Sequence, residues 1–161
     1  MNELIIVFER MGKEQDSKRV KDISNCIIIK TKEDLFLYLK DNPEQKIYVD
    51  APKGTKKGFG GRKKELPFDY GEISKLVNPA DDMGWDVIIP PSVKEVINII
   101  PIGYVQVKDD KKIWKEKADR KPPVGNDKII ISNDGKISKE DKKIIEAFFQ
   151  DMWQFEKIKW I

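Results

Sequence analysis

The sequence predicts a mainly β protein with flanking helices (α+β), built on a β-barrel or a strongly curved sheet. Short apolar or β-branched runs of strand length recur along the chain, at residues 4–8, 26–29, 47–49, 87–89, 96–100, 102–107 and 129–131. Only two segments carry helical periodicity, and both open on capping-box residues. Prolines stand at the edges of the runs, at Pro90, Pro91 and Pro101, where a strand tolerates a missing donor. Many short strands with few helices favour a sheet closed or curved on itself, with the helices packed outside it.

The first three runs alternate with polar or turn-forming residues. Between the second and third, Thr31 with Asp34 three residues on forms a helix start, Leu35, Tyr38 and Leu39 follow at helical spacing, and Asn42-Pro43 closes the helix over 31–41. Residues 52–64 change texture: four glycines and the basic residues Lys53, Lys56, Lys57, Arg62, Lys63 and Lys64 stand there without an acid, which predicts an exposed loop. Apolar runs then return, broken by a charged, hairpin-like excursion over 108–123. The clearest element comes last. Ser138 and Asp141 form a second capping box, and Ile144, Ile145, Phe148, Phe149, Met152 and Phe155 fall on one helical face, the stripe of a helix packed on a sheet.

A chain of 161 residues suits one domain with a real core, so 1–161 is read as a single domain. It contains no histidine, which removes imidazole bases, Ser/His and Cys/His nucleophile pairs and the commonest zinc sites. The lone Cys26, between apolar neighbours, can form no internal disulfide and reads as a small buried hydrophobe of a reducing compartment. Carboxylates, lysines and a hard metal ion remain as carriers of chemistry. The apolar run at 4–8 is too short and wrongly flanked for a signal peptide, and no stretch approaches a membrane span, so a cytoplasmic protein is expected. With 37% charged residues but a net charge of +3, opposite charges intersperse over the surface and name no partner.

Asp81, Asp82 and Asp86 crowd the entrance to the run at 87–89. Carboxylates in that density repel one another unless solvated or neutralised, and magnesium or manganese suits them. Asp109-Asp110 and Asn126-Asp127-Lys128 stand at the ends of neighbouring runs, and all three sites could meet at one barrel mouth. Metal plus adjacent cations is what phosphoryl hydrolysis needs. The glycine loop lacks the Walker spacing, yet its amides with Lys56, Lys57 and Arg62 could hold phosphate or a nucleic-acid backbone, and Phe59 offers a face for a base.

From Tyr70 to Trp160 these landmarks resemble the soluble family I inorganic pyrophosphatases. Leu66-Pro67-Phe68-Asp69-Tyr70-Gly71-Glu72-Ile73 is similar to that family's Tyr-Pro-x-Asn-Tyr-Gly-Tyr-Ile, and residues 81–90 to its Asp-Gly-Asp-Pro-x-Asp with the apolar strand and proline that follow. Pro101-Ile102-Gly103, Asp109, Phe148-Phe149 and Glu156-Lys157-Ile158-Lys159-Trp160 continue the match in order. The resemblance implies a five-stranded barrel of the oligonucleotide-binding (OB) type over 66–161, with 1–50 a divergent part carrying the helix 31–41 as an insertion. It implies hydrolysis of diphosphate to two phosphates by a metal-activated water, with Mg2+ or Mn2+ as cofactor and diphosphate as the small-molecule substrate. Asp81, Asp86 and Tyr70 would be catalytic, and Asp81, Asp82, Asp86, Asp109 and Asp127 would supply metal ligands. Lys128 and Lys18, with Lys56, Lys57 and Arg62 of the loop, would hold phosphate, and Glu9 falls on an early family glutamate. A homo-oligomer is the assembly it allows, and no membrane is involved.

The chain departs from the pattern at Met83, Leu66, Asn126, Ala51 and the pair Met152-Trp153, where the family has aspartate, tyrosine, aspartate, arginine and a Tyr-Lys pair. These substitutions sustain an alternative: a catalytically degenerate barrel that binds a phosphate-containing ligand or single-stranded nucleic acid. A third reading gives the aromatic residues Trp153 and Trp160 to a protein partner.

Overall fold

The computed structural model describes residues 26–59 and 63–161. The expectations placed on the run at 4–8, on Glu9 and Lys18, and on Arg62 lie outside the described residues.

Among the described residues, one seven-stranded sheet carries the fold. Its strands are β1 (Ile27–Ile28), β2 (Ile47–Ala51), β5 (Asp69–Asn78), β6 (Met83–Ile89), β7 (Ile100–Val105), β8 (Lys128–Ser132) and β9 (Lys159–Trp160). The order is β1-β5-β6-β8-β7-β9, and β2 also pairs with β5. β6 and β8 run parallel, whereas β2, β6 and β7 meet their neighbours β5, β5 and β8 antiparallel. The protein is therefore mainly β with helices, as the sequence predicts. The closed barrel is not present: among the described residues no pairing joins β2 to β7, and the sheet stays open there. Instead Pro43, in the link from the first helix to β2, accepts from Ile99 N at 2.8 Å.

Alternation divides the sheet into two covered faces. Tyr70, Ile88 and Ile130 point to one side, where Ile145, Phe148 and Phe149 of α3 (Lys139–Phe149) pack with Phe155. Ile73, Trp85, Val87, Ile129 and Ile131 point to the other, under Leu35 and Leu39 of α1 (Lys32–Asp41). Both helices start where the capping boxes predict, Thr31 Oγ1 accepting from Asp34 N and Ser138 Oγ from Asp141 N, each at 3.1 Å. Met152 and Phe155 lie beyond α3, Phe155 bridged to Val107, so the stripe read as one helix ends at Phe149 and continues through turns.

The structure corrects three further readings. The charged excursion holds a helix, α2 (Lys111–Ala118), capped by Asp110, whose Oδ1 accepts from Lys112 N and Ile113 N. One buried side chain, Trp114, anchors it, too little apolar periodicity to show in so charged a stretch. The run at 96–100 joins a strand only at Ile100. Before it, the Asn133 side chain takes the amides of Ile97 and Asn98 that a ladder would have used. The basic segment is a hairpin of β3 (Lys56–Gly58) and β4 (Lys63–Glu65) rather than a loop throughout.

Candidate functional site

Register builds the site. Glu72 of β5 lies opposite Asp86 of β6, and Lys128 stands one residue before the paired Val87 and Ile129, beside Asp86 on β8. These three charged groups form a row next to the apolar row of Tyr70, Ile88 and Ile130, on the same face two residues along each strand. The core facing α3 thus ends in a charged margin. Like charges directly opposite across a ladder repel, so Glu72 and Asp86 need a cation close by.

Lys128 supplies one. Its Nζ donates to Asp86 Oδ2 at 2.7 Å and to Asn126 Oδ1 at 3.3 Å. The row borders a cavity of about 220 Å³ shared by Asp50, Lys57, Phe59, Tyr70, Glu72, Asp81, Met83, Asp86 and Lys128. Lys57 Nζ lies 4.9 Å and Lys128 Nζ 6.0 Å from the Tyr70 ring centroid, so the ring has two ammonium neighbours. Burial, the Asp86 charge and a hydrogen bond to the Asp86 carboxylate, with Asp50 and Asp81 adding to them, hold the Tyr70 hydroxyl well above its ordinary pKa, so at neutral pH it is a donor.

Asp81 enters from the turn between β5 and β6. Asn78 organises that turn, its Oδ1 accepting from Ala80 N and its Nδ2 donating to Gly125 O. Asp82 follows in the left-handed region at φ 59°. Loss of water, then the Asp86 charge, push the Asp81 carboxyl up to about 6 against the Met83 amide and Lys128, which act to lower it. The residue remains exposed, and solvent screens part of this repulsion.

Asp81, Asp86, Tyr70, Lys57 and Lys128 therefore meet at one cavity. Other candidates lie elsewhere. Asp127 points to the opposite face, as alternation beside Lys128 requires, and its carboxylate accepts from Val107 N at 3.0 Å and pairs with Lys32 at 3.2 Å. Burial works against the charge on Lys32, but the hydrogen bond and charge of Asp127 outweigh it and raise the Lys32 pKa. Asp109 and Lys56 are exposed and, like Asp82, do not line the cavity. Phe59 turns inward, its ring 5.4 Å from Tyr70 and 5.9 Å from Phe155. Trp153 and Trp160 pack partly buried on the core that faces α3, with Trp153 against Trp114 at 4.6 Å.

Sequence reasoning missed Asp50 and Glu72 as cavity residues. Glu72 is two residues from Tyr70, so period-2 alternation was a sufficient signal, whereas Asp50 sits at the register shift between Val49 and Ala51, which no local pattern announces. A larger cavity of about 510 Å³ lies at the start of α3 among Ser92, Lys94, Asn133 and Lys136. Its buried carboxylate, Asp141, is already bonded to the Ser92 amide at 3.3 Å and to the Ser92 hydroxyl, which ties loop to helix. The smaller cavity gathers the reactive groups.

Among the described residues no three acidic or thiol side chains lie close enough to cage an ion by themselves, and no helix is long and apolar enough to cross a membrane. Comparison with protein-family models, with curated proteins and with solved structures gives no match to this chain.

Proposed function

We propose that the cavity binds diphosphate and hydrolyses it to two phosphates with the help of a divalent cation, in a pyrophosphatase-type domain. The observation that carries this reading is the convergence of Asp81, Asp86, Tyr70 and Lys128 on one small cavity beside Lys57. The strand order β2-β5-β6-β8-β7 with its parallel β6–β8 pair supports reading the sheet as a partly open five-stranded barrel of OB type.

The donor set suits Mg2+ or Mn2+. Burial first and the charge of neighbouring Asp86 second raise the Asp81 pKa, so two hard carboxylates stand close together, and Mg2+ typically takes one or two protein carboxylates plus water and substrate phosphate. Held there, the ion would supply charge neutralisation and a more acidic water. Met83, a thioether, adds nothing for such an ion and leaves an apolar wall. Lys57 and Lys128 face the phosphate oxygens as ammonium groups, and the Tyr70 hydroxyl donates to one of them. Water attacks one phosphorus, its bond to the bridging oxygen breaks, and the second phosphate leaves carrying that oxygen. Charge on the departing oxygen is what Lys57 and Lys128 would stabilise.

The test is phosphate release from diphosphate by the purified chain, with and without Mg2+. Release should depend on Mg2+ and collapse in Asp86→Ala; release no faster than a protein-free blank removes the hydrolase reading. Met83 and Asp127, which is buried on the face opposite the cavity, favour a second reading, a domain that retains the cavity for binding only. Diphosphate binding without turnover in the same samples would select it.

A further inference from the structure

We infer that Lys128 is an exchangeable counter-ion: its ammonium holds the place on Asp86 that a divalent cation requires and gives it up when phosphate enters, so that cation and phosphate bind cooperatively. The inference rests on the diphosphate reading of this cavity. Its basis is geometric. Lys128 Nζ lies 2.7 Å from Asp86 Oδ2, and their side chains are only 7% and 15% exposed. A buried carboxylate demands a counter-ion, and here the chain provides it. A second cation arriving at Asp86 meets like charge next to the oxygen it must bind. Both cations would share one cavity of about 220 Å³.

Phosphate removes the conflict, because its oxygens offer the ammonium a new acceptor. Asn126 Oδ1, 3.3 Å away, gives it a neutral pivot, and the flexible four-carbon stem of lysine permits the turn. Asp81 then joins Asp86 in holding the cation while Lys128 and Lys57 face the phosphate. Such coupling is reciprocal: phosphate tightens the cation, and the cation tightens phosphate.

The experiment is calorimetric titration of the full chain with Mn2+, alone and with saturating inorganic phosphate. Wild type should bind Mn2+ at least about fivefold more tightly with phosphate present. Lys128→Met should bind Mn2+ alone about tenfold more tightly than wild type, since the competing charge-assisted hydrogen bond is gone, and should lose the phosphate enhancement. Lys128→Arg, which keeps the cation, should retain weak binding of Mn2+ alone. Wild-type affinity indifferent to phosphate, or a folded Lys128→Met chain that binds Mn2+ no more tightly than wild type, overturns the inference. If Lys128→Met does not fold, the wild-type titrations and Lys128→Arg decide. Absent hydrolysis with these titrations as expected would remove catalysis and leave the counter-ion role standing. Hydrolysis with uncoupled titrations would do the reverse.

Discussion

Lys128 and Asp86 form a charge pair of 2.7 Å between neighbouring parallel strands, with Tyr70 lining the same cavity. Removing one partner strands the other charge in a poorly solvated place, at a cost of about 3–5 kcal/mol. Asp86→Ala should therefore unfold at markedly lower urea than wild type. Asp86→Leu combined with Lys128→Met should recover much of the loss, because neither charge is then left alone. A double variant as unstable as the sum of the singles would show that the two groups do not depend on each other.

Asp81 predicts a pH dependence of stability. Its folded carboxyl titrates at about 6 against 3.8 for the ordinary side chain, so between these values the folded state binds more protons than the unfolded one. Stability from this group is then greatest below 3.8 and falls as pH rises toward about 6. Asp81→Asn should melt higher than wild type at pH 7, with the difference vanishing near pH 4. A difference that grows as pH falls would contradict the sign.

These groups differed in how far they could be read from residues alone. Asp81 and Asp86 stand in one short acidic segment, and Thr31 and Ser138 announce their helices because capping is a local interaction between residues three apart. Lys128 rather than Asp127 was legible from strand alternation once a strand was assumed. Glu72 follows Tyr70 on the same strand face by alternation, whereas Lys57 reaches the site through a hairpin fixed by packing from distant parts of the chain. α2 was obscured for the opposite reason: its single anchor, Trp114, gives no periodicity to detect. The open edge between β2 and β7 depends on long-range pairing, which apolar runs do not specify.

Asp127 has a structural role on the face opposite the cavity. It accepts from the buried Val107 amide and from Lys32, whose Nζ also lies 4.9 Å from the Tyr104 ring centroid. Asp127→Ala leaves that amide without its acceptor and Lys32 with the longer, solvent-exposed Glu33 pair at 3.7 Å in place of its buried anion, which should cost about 2–4 kcal/mol in urea unfolding. Mg2+-dependent phosphate release, measured where the variant is still folded, should fall far less than in Asp86→Ala. An equal loss in both would place Asp127 in the chemistry.

Gly71 is required by a close approach of strands. A Cβ there would overlap the Tyr48 carbonyl oxygen and come within 3.0 Å of the Val49 Cα, both backbone atoms of β2. Backbone cannot swing aside as a side-chain tip can, so Gly71→Ala should push β2 from β5 at about 1–3 kcal/mol. Amide exchange should quicken at residues 47–51 ahead of β8. Unchanged exchange in β2 would mean that the sheet absorbs the methyl elsewhere.

The β3–β4 hairpin should be held over the cavity by Phe59 more than by its charges. The Phe59 ring packs 6.0 Å from both Phe148 and Phe149 as well as against Tyr70 and Phe155, an aromatic cluster that solvent does not screen. Lys64, an ionic link of the hairpin among the described residues, donates to Phe148 O and pairs with Asp151, but that aspartate side chain is 53% exposed. Screened pairs of this kind contribute up to about 1 kcal/mol, whereas truncating a packed phenylalanine costs about 3 kcal/mol or more. Phe59→Ala should therefore speed limited proteolysis within residues 52–65 and weaken binding of inorganic phosphate, because Lys57 loses its fixed place beside Tyr70. Lys64→Ala should change both only slightly. If Lys64→Ala instead frees the hairpin as fully as Phe59→Ala, ion pairing rather than the aromatic cluster holds Lys57 at the cavity.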